Sequence, residues 1–130
     1  RGDFPPVIDD DVNEFWYKRF DLALVLQYPT DYMSRVLEEL SSTGYKQALG
    51  YFATPFPICL MMTEMTMNGD RDSMKTKAVN EPCCGCGALF LPMSNYSLFG
   101  YAQDVSGIAV KLCTLQCIWY APWFAFNPLK

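Results

Sequence analysis

The residues with the most chemical potential in this 130-residue chain are its six cysteines, and they stand in a sequence with no histidine. Five crowd into the last third, as Cys83, Cys84, Cys86, Cys113 and Cys117, with Cys59 apart. An even cysteine count in a short chain reads as a disulfide framework, and disulfides persist in oxidising, extracytoplasmic settings. Without histidine the chain builds no Ser-His-Asp triad, no Cys-His pair and no mixed Cys/His zinc site. Cys83-Cys84-Gly85-Cys86 with Cys113-x-x-x-Cys117 is a thiolate set of the kind that holds zinc or an iron–sulfur cluster, but the usual paired C-x-x-C knuckles are absent. Adjacent cysteines bridge each other only under strain, so Cys83 and Cys84 are expected to reach different partners, within the block and across to Cys59. Gly85 and Gly87 let the backbone turn tightly between bridges. Fifteen pairings are open. The expectation is disulfides, with no metal and no cofactor; free or intermolecular thiols are the alternatives.

Carboxylates are the remaining catalytic material. Asp70 and Asp72 lie in a polar stretch, and Asp104 is the only acid after residue 83. An acid among aromatic rings can have a raised pKa and act as a general acid, but glycoside hydrolysis needs a second carboxylate across a cleft, and none is evident. The bland reading is that Asp104 caps a turn before Val105-Ser106-Gly107. No catalytic residue is assigned, and a carboxylate hydrolase is kept only as an alternative. Asp9, Asp10 and Asp11 read as the start of a helix, where carboxylates receive free amides. The alternating spacing and turn glycine of an EF-hand calcium loop are missing.

The binding candidates are Trp119, Tyr120, Trp123, Phe124 and Phe126, five rings within eight residues. Trp and Tyr dominate binding hot spots, so this cluster suits a protein partner, a glycan or a lipid face. The competing reading places the same rings in the core, against the first three helices. Asn95-Tyr96-Ser97 fits the N-glycosylation acceptor pattern. Arg1-Gly2-Asp3 spells an integrin-type tripeptide, outside any constrained loop.

The elements that must position these residues divide by charge. Of the 24 charged residues, only Asp104, Lys111 and Lys130 fall in residues 83–130, a stretch with nine aromatics. The net charge of −4 argues against nucleic acid, which requires clustered Lys and Arg, and against electrostatic attachment to anionic lipid. Residues 1–8 read as an extended arm containing Pro5-Pro6, on a chain that begins at Arg1 like a mature, processed form. A first helix is expected from about Val12 to Tyr28, with Trp16, Phe20, Ala23 and Leu24 on one face and a Glu14–Lys18 pair outside. Leu22 to Leu26 is apolar all round, which predicts a central position. Thr30 is expected to cap a second helix with a Met33, Val36, Leu37, Leu40 stripe, and a third follows with Tyr45, Ala48, Leu49 and Phe52. Residues 58–67 fit helix or strand, and Met61, Met62, Met65 and Met67 read as adaptable core filler. Residues 68–82 read as a polar loop and 88–103 as a β-hairpin or irregular aromatic loops. Residues 105–120 fit either period: Ile108, Val110 and Leu112 alternate, while Ile108, Leu112, Leu115 and Trp119 are helically spaced, and strand is favoured. Lys111, Gln116 and Pro122 interrupt the stretch 105–126, which therefore reads as buried and not membrane-spanning.

One family resemblance lies in the first half. Phe15-x-x-Lys18-x-Phe20-Asp21-Leu22-Ala23-Leu24-x-Leu26-Gln27 resembles the first helix of the abalone sperm lysin family. Ser42-Thr43, Lys46, Ala48-Leu49 and Tyr51-Phe52 resemble a later helix of it. The resemblance implies a secreted, helical, non-enzymatic protein that acts on an egg coat. That family is basic and does not depend on a cysteine cluster, and nothing after about residue 55 matches, so no residue role is carried over.

Together these readings give a secreted, single-domain α+β protein, with helices over 9–67 packed on a disulfide-stapled aromatic block over 83–130. An all-α bundle is the alternative. The expected function is non-enzymatic recognition of a protein or glycan, of the toxin, effector, inhibitor or gamete-recognition type. An apolar-ligand carrier or membrane-active protein is the second reading.

Overall fold

A computed structural model describes residues 9–41, 44, 52–67, 69 and 71–126. The expected arm at 1–8, most of the third helix and Asp70 lie outside the described residues. The described residues form eight helices and a two-stranded parallel sheet, a mixed α+β arrangement.

The first helical stretch is two helices, not one. α1 runs Asp10–Arg19 and α2 runs Leu22–Gln27. Asp9 caps α1 as expected, its carboxylate accepting from the Asp11 amide at 3.1 Å. The break falls where Asp21 accepts the Leu24 amide at 3.1 Å and starts a new helix. Aspartate competes for backbone donors and so favours caps over helix interiors. Neither helix buries a residue, which corrects the central position expected for Leu22 to Leu26. The Glu14–Lys18 pair forms on the surface as expected.

α3, Tyr32–Leu40, is capped one residue later than expected: Asp31, not Thr30, accepts from the Ser34 amide at 3.0 Å. Leu37 is its buried apolar residue, while Val36 and Leu40 are exposed. α4, Phe56–Met67, resolves the ambiguous 58–67 stretch as helix. It buries Cys59, Thr63 and Met67, which recur every four residues, and leaves Met61, Met62 and Met65 exposed. Three of the four methionines are thus surface, not core filler. Thr63 is 1% exposed, and its hydroxyl has no hydrogen-bond partner among the described residues.

The expected polar loop at 68–82 holds a short helix, α5 (Arg71–Lys75), and the strand β1 (Ala78–Glu81). No hairpin forms in 88–103. That stretch holds the short helix α6 (Phe90–Met93) and the strand β2 (Phe99–Ala102), which pairs parallel with β1, Ala78 opposite Phe99 and Glu81 opposite Ala102. Parallel strands need a crossover, and the connection is residues 82–98, the segment carrying the three clustered cysteines and α6. Gly85 (φ 51°) and Gly87 (φ 104°) take the left-handed backbone this connection requires.

The stretch favoured as a strand is the longest described helix, α7 (Gly107–Tyr120), followed by α8 (Pro122–Ala125). Ser106 caps α7, its hydroxyl accepting from the Ala109 amide at 3.2 Å. No proline or glycine interrupts it before Pro122. Its buried face is Ala109, Cys113, Gln116 and Cys117, whereas Ile108 and Leu115 of the apolar stripe are exposed. The main core gathers Met67, Val79, Cys84, Phe90, Leu91, Tyr96, Cys113 and Cys117. A smaller cluster joins Leu37, Cys86 and Ala109.

Gln116 holds these parts in register. It is 0% exposed. Its Nε2 donates to Asp31 Oδ1 and to the Cys86 carbonyl, each at 2.8 Å. Its Oε1 accepts the amides of Tyr32 at 3.0 Å and Met33 at 3.3 Å. Truncation removes one of two donors to Asp31 and leaves the buried Cys86 carbonyl and two half-buried amides without this partner, and each unsatisfied buried group costs about 1–3 kcal/mol. Gln116→Ala should therefore lower unfolding free energy in urea by about 3–5 kcal/mol. Glu39→Ala, which breaks only the exposed 3.2 Å pair with Arg35, should change it by less than about 0.5 kcal/mol.

Candidate functional site

Two features bring the sequence-predicted site residues together: an aromatic strip along the C-terminal helices and a group of thiols beneath it. The strip begins with Phe20, whose ring lies 5.3 Å from that of Trp119 at a tilt of 30°. Trp119 meets Tyr120 edge-on at 6.4 Å. Tyr120 is half-buried, its hydroxyl donating to the Val25 carbonyl at 3.1 Å, and burial pushes its pKa up. The Tyr120 hydroxyl thereby joins α7 to α2, and the Trp119 ring joins it to the connection between α1 and α2. The segment resembling the lysin helix is the one broken at Asp21, and its Phe20 carries the ring contact.

The five predicted rings divide by burial. Phe124 faces inward, 4.6 Å from Phe90. Trp119 and Tyr120 are half-buried, and Trp123 and Phe126 are exposed, the latter at 61%. The core alternative was partly right: Tyr120 and Phe124 pack on the main core, but that core is built from the C-terminal block and the end of α4, not from the first three helices. A second exposed group sits on α1, where Phe15, Trp16 and Tyr17 are open to solvent and Arg19 lies 4.3 Å over the Phe15 ring.

The cysteines are thiols in this structure, not bridges. Cys84, Cys113 and Cys117 share the main core, with Cys113 interacting with Cys84 on one side and Cys117 on the other. Cys86 lies in the smaller cluster, Cys83 is exposed, and Cys59 on α4 donates to the Thr54 carbonyl at 3.8 Å. Hydrogen bonding to Cys113, with burial, pushes the Cys84 thiol well above its ordinary value. Hydrogen bonding to Cys117 pushes Cys113 up to about 12. The same bond from Cys113 pulls Cys117 down. Burial pushes Cys59 up. Among the described residues no group of three or more His, Cys, Asp or Glu is arranged to hold a metal ion.

Two cavities adjoin the strip. One, of 340 Å³, is walled by Phe56, Leu60, Leu91, Pro92, Asn95 and Tyr120. The other, of 250 Å³, lies against the three core thiols. Asn95 is exposed, while Ser97 of its acceptor pattern is 1% exposed and donates to the Lys77 carbonyl at 2.5 Å. Asp104 accepts the amides of Gly85 at 2.9 Å and Ser106 at 2.8 Å, the turn-capping role anticipated for it. Asp72 pairs with Lys75 at 3.0 Å on the surface. No helix among the described residues is long and apolar enough to cross a membrane. No protein-family model, curated protein or solved structure matches this chain.

Sequence reasoning missed Gly100, Phe90 and Gln116. A Cβ at Gly100 would stand 2.5 Å from Phe90 and 3.1 Å from Phe124, so the bare glycine is what admits the ring pair beneath the strip. Gly100→Ala should cost about 1–3 kcal/mol in urea unfolding and disturb the near-ultraviolet aromatic signal. The thiols give a pH dependence. Raised values for Cys84 and Cys113 mean that their contribution is complete below the ordinary thiol value of 9.0 and is lost as pH rises through the folded value of Cys113, about 12. Cys117 acts oppositely, its contribution being present above 9.0 and lost as pH falls through its own depressed value. The urea midpoint of the fully reduced chain should therefore fall as pH rises above 9.0, and Cys84→Ser should flatten that fall.

Proposed function

We propose that this chain is a secreted, disulfide-stabilised protein that recognises another macromolecule through its aromatic strip and performs no catalysis. The observation that carries the reading is the ring contacts from Phe20 through Trp119 to Tyr120, followed in the chain by the exposed Trp123 and Phe126. Rigid, partly exposed aromatics give binding area at low entropic cost, and Trp and Tyr are the side chains that most often dominate interfaces. Residues 83–126 carry only Asp104 and Lys111 as charges, so the partner is chosen by shape and hydrogen bonding more than by charge. A protein or a glycan is the partner class that fits. The even cysteine count, five of the six within residues 83–117, is what supports the oxidising setting. The resemblance of residues 15–27 to sperm lysins keeps gamete recognition among the candidate roles.

A second reading is an apolar-ligand carrier, favoured by the 340 Å³ cavity beside Tyr120. A carboxylate hydrolase has less support, because both oxygens of Asp104 already receive backbone amides.

The test is binding of the purified full chain to an immobilised glycan array and to a panel of extracellular protein domains. Saturable binding to one of them, weakened about tenfold or more by Trp123→Ala with Phe126→Ala at an unchanged unfolding midpoint, is the expected result. Equal affinity in wild type and double variant would remove the strip as the site. Saturable uptake of a fluorescent fatty acid by the folded chain, with no macromolecular binding, would transfer the function to the cavity.

A further inference from the structure

Of the asparagines Asn13, Asn68, Asn80, Asn95 and Asn127, only Asn95 has a hydroxyl side chain two places on with no proline between. The fold treats the three residues of Asn95-Tyr96-Ser97 differently. Asn95 is exposed, on the turn that follows α6, where its backbone amide donates to the Pro92 carbonyl at 3.1 Å. Tyr96 is buried in the main core and donates its hydroxyl to Glu64 of α4. Ser97 is 1% exposed. Its hydroxyl donates to the Lys77 carbonyl at 2.5 Å and accepts the Phe99 amide at 3.1 Å. Lys77 stands just before β1 and Phe99 opens β2, so this one hydroxyl clasps the two strands where their parallel pairing begins. Asn95 also stands in the wall of the 340 Å³ cavity, with Phe56, Leu60 and Tyr120, whereas Trp123 and Phe126 do not line it.

We propose, resting on the secreted reading above, that Asn95 carries an N-linked oligosaccharide, attached before the β1–β2 sheet closes and not after. The donor is an oligosaccharide carried on a polyprenyl diphosphate. A C–N bond forms between Asn95 Nδ2 and the anomeric carbon of the first sugar. The bond from that carbon to the diphosphate oxygen breaks, the polyprenyl diphosphate leaves with the electron pair, and Nδ2 loses one proton. Nothing is oxidised or reduced.

The order follows from burial. The acceptor pattern demands a hydroxyl at its third position, so the transferring enzyme has to reach Ser97 as well as Asn95. In the folded chain that hydroxyl is inside. Exposing it means breaking its bonds to Lys77 and Phe99 and drawing its neighbour Tyr96 out of the core. Regions held by buried contacts open seldom, so the finished fold is a poor acceptor, while the unfolded chain presents all three residues. The product suits the finished fold, because a glycan is bulky and belongs on the surface, and Asn95, the residue that bears it, faces water. Its point of attachment is the cavity wall and not the exposed rings of the strip.

In the experiment the full chain is expressed behind a cleavable leader in cultured animal cells. The exported protein is alkylated, peptide-mapped and weighed before and after an amidase that frees N-linked glycans. The expected result is a heavier chain that the amidase returns to the peptide mass, leaving an aspartate at the Asn95 position, and no such shift in Asn95→Gln. A second arm gives a purified oligosaccharyltransferase and its lipid-linked donor to the native chain and to the chain held unfolded by alkylation of its six cysteines. The unfolded chain should be modified at least about tenfold faster. An exported chain with bridged cysteines and an unmodified Asn95 would overturn the site and leave the secreted, disulfide-stabilised reading intact. Six alkylatable thiols in the exported chain would overturn that reading, and with it the setting this modification needs. Equal rates on native and unfolded chains would overturn the order.

Discussion

A single buried carboxamide sets the relation between the two halves of this protein. Gln116 donates to Asp31 and Cys86 and accepts from Tyr32 and Met33, so one side chain contacts the start of α3, the cysteine turn and the middle of α7. Asp31 has a second task, since the same oxygen receives the Ser34 amide and starts α3. The cap and the tertiary bond are thus coupled: α3 begins where α7 can reach it. Dispersion and apolar burial are not directional and do not select one register of α3 on α7. A polar group with four fixed partners does, because sliding the helix by one residue would leave several of them unsatisfied at once.

That constraint explains which face of α7 is inside. The positions on its face of the helix follow it: Ala109, Cys113 and Cys117 are buried with it, and Cys113 lies against the turn that Cys84 opens. The same rotation carries Trp119 toward Phe20 and leaves Ile108 and Leu115 to solvent. The aromatic strip and the thiol group are therefore two consequences of one helix orientation, not two separate devices. Gly100 completes the arrangement from below, since any side chain there would displace the Phe90–Phe124 pair on which α8 rests.

What the sequence made legible was local. Asp9 before α1, the Glu14–Lys18 pair and the turn role of Asp104 all depend on neighbours within a few residues, and each is found. What it hid was tertiary. α7 is apolar on nearly every face, so its period points to no one side, and its largest fully buried side chain is the one that looked like an interruption. The parallel pairing of β1 with β2 is invisible to a hairpin search because the partner strand lies across a 17-residue connection, 82–98. The break at Asp21 was legible in principle: an aspartate inside an apolar helix run signals a new cap more than a polar face. For the candidate site, the five C-terminal rings were identified from composition, but their division into inward and outward sets was not, because it depends on Phe90, Gly100 and Val25.

The distribution of charge takes on a different meaning once the core is located. The all-round apolar run Leu22 to Leu26 predicts a centre within the charged first half, and the main core lies mostly in the other half. Residues 78–125 supply most of the main core, whereas α1 and α2 bury no residue and lie on the surface. Charges belong on the half that is solvated on most faces, and their scarcity after residue 83 reflects a segment folded on itself. Among the described residues the rings of α1 are largely open to solvent: Trp16 is 64% exposed and Tyr17 85%. Large rings left in water are unfavourable at about 25 cal/mol per Å² of apolar area. Their closeness in sequence to Phe20, which itself touches Trp119, makes α1 the natural extension of the strip and the first place to seek a wider contact surface.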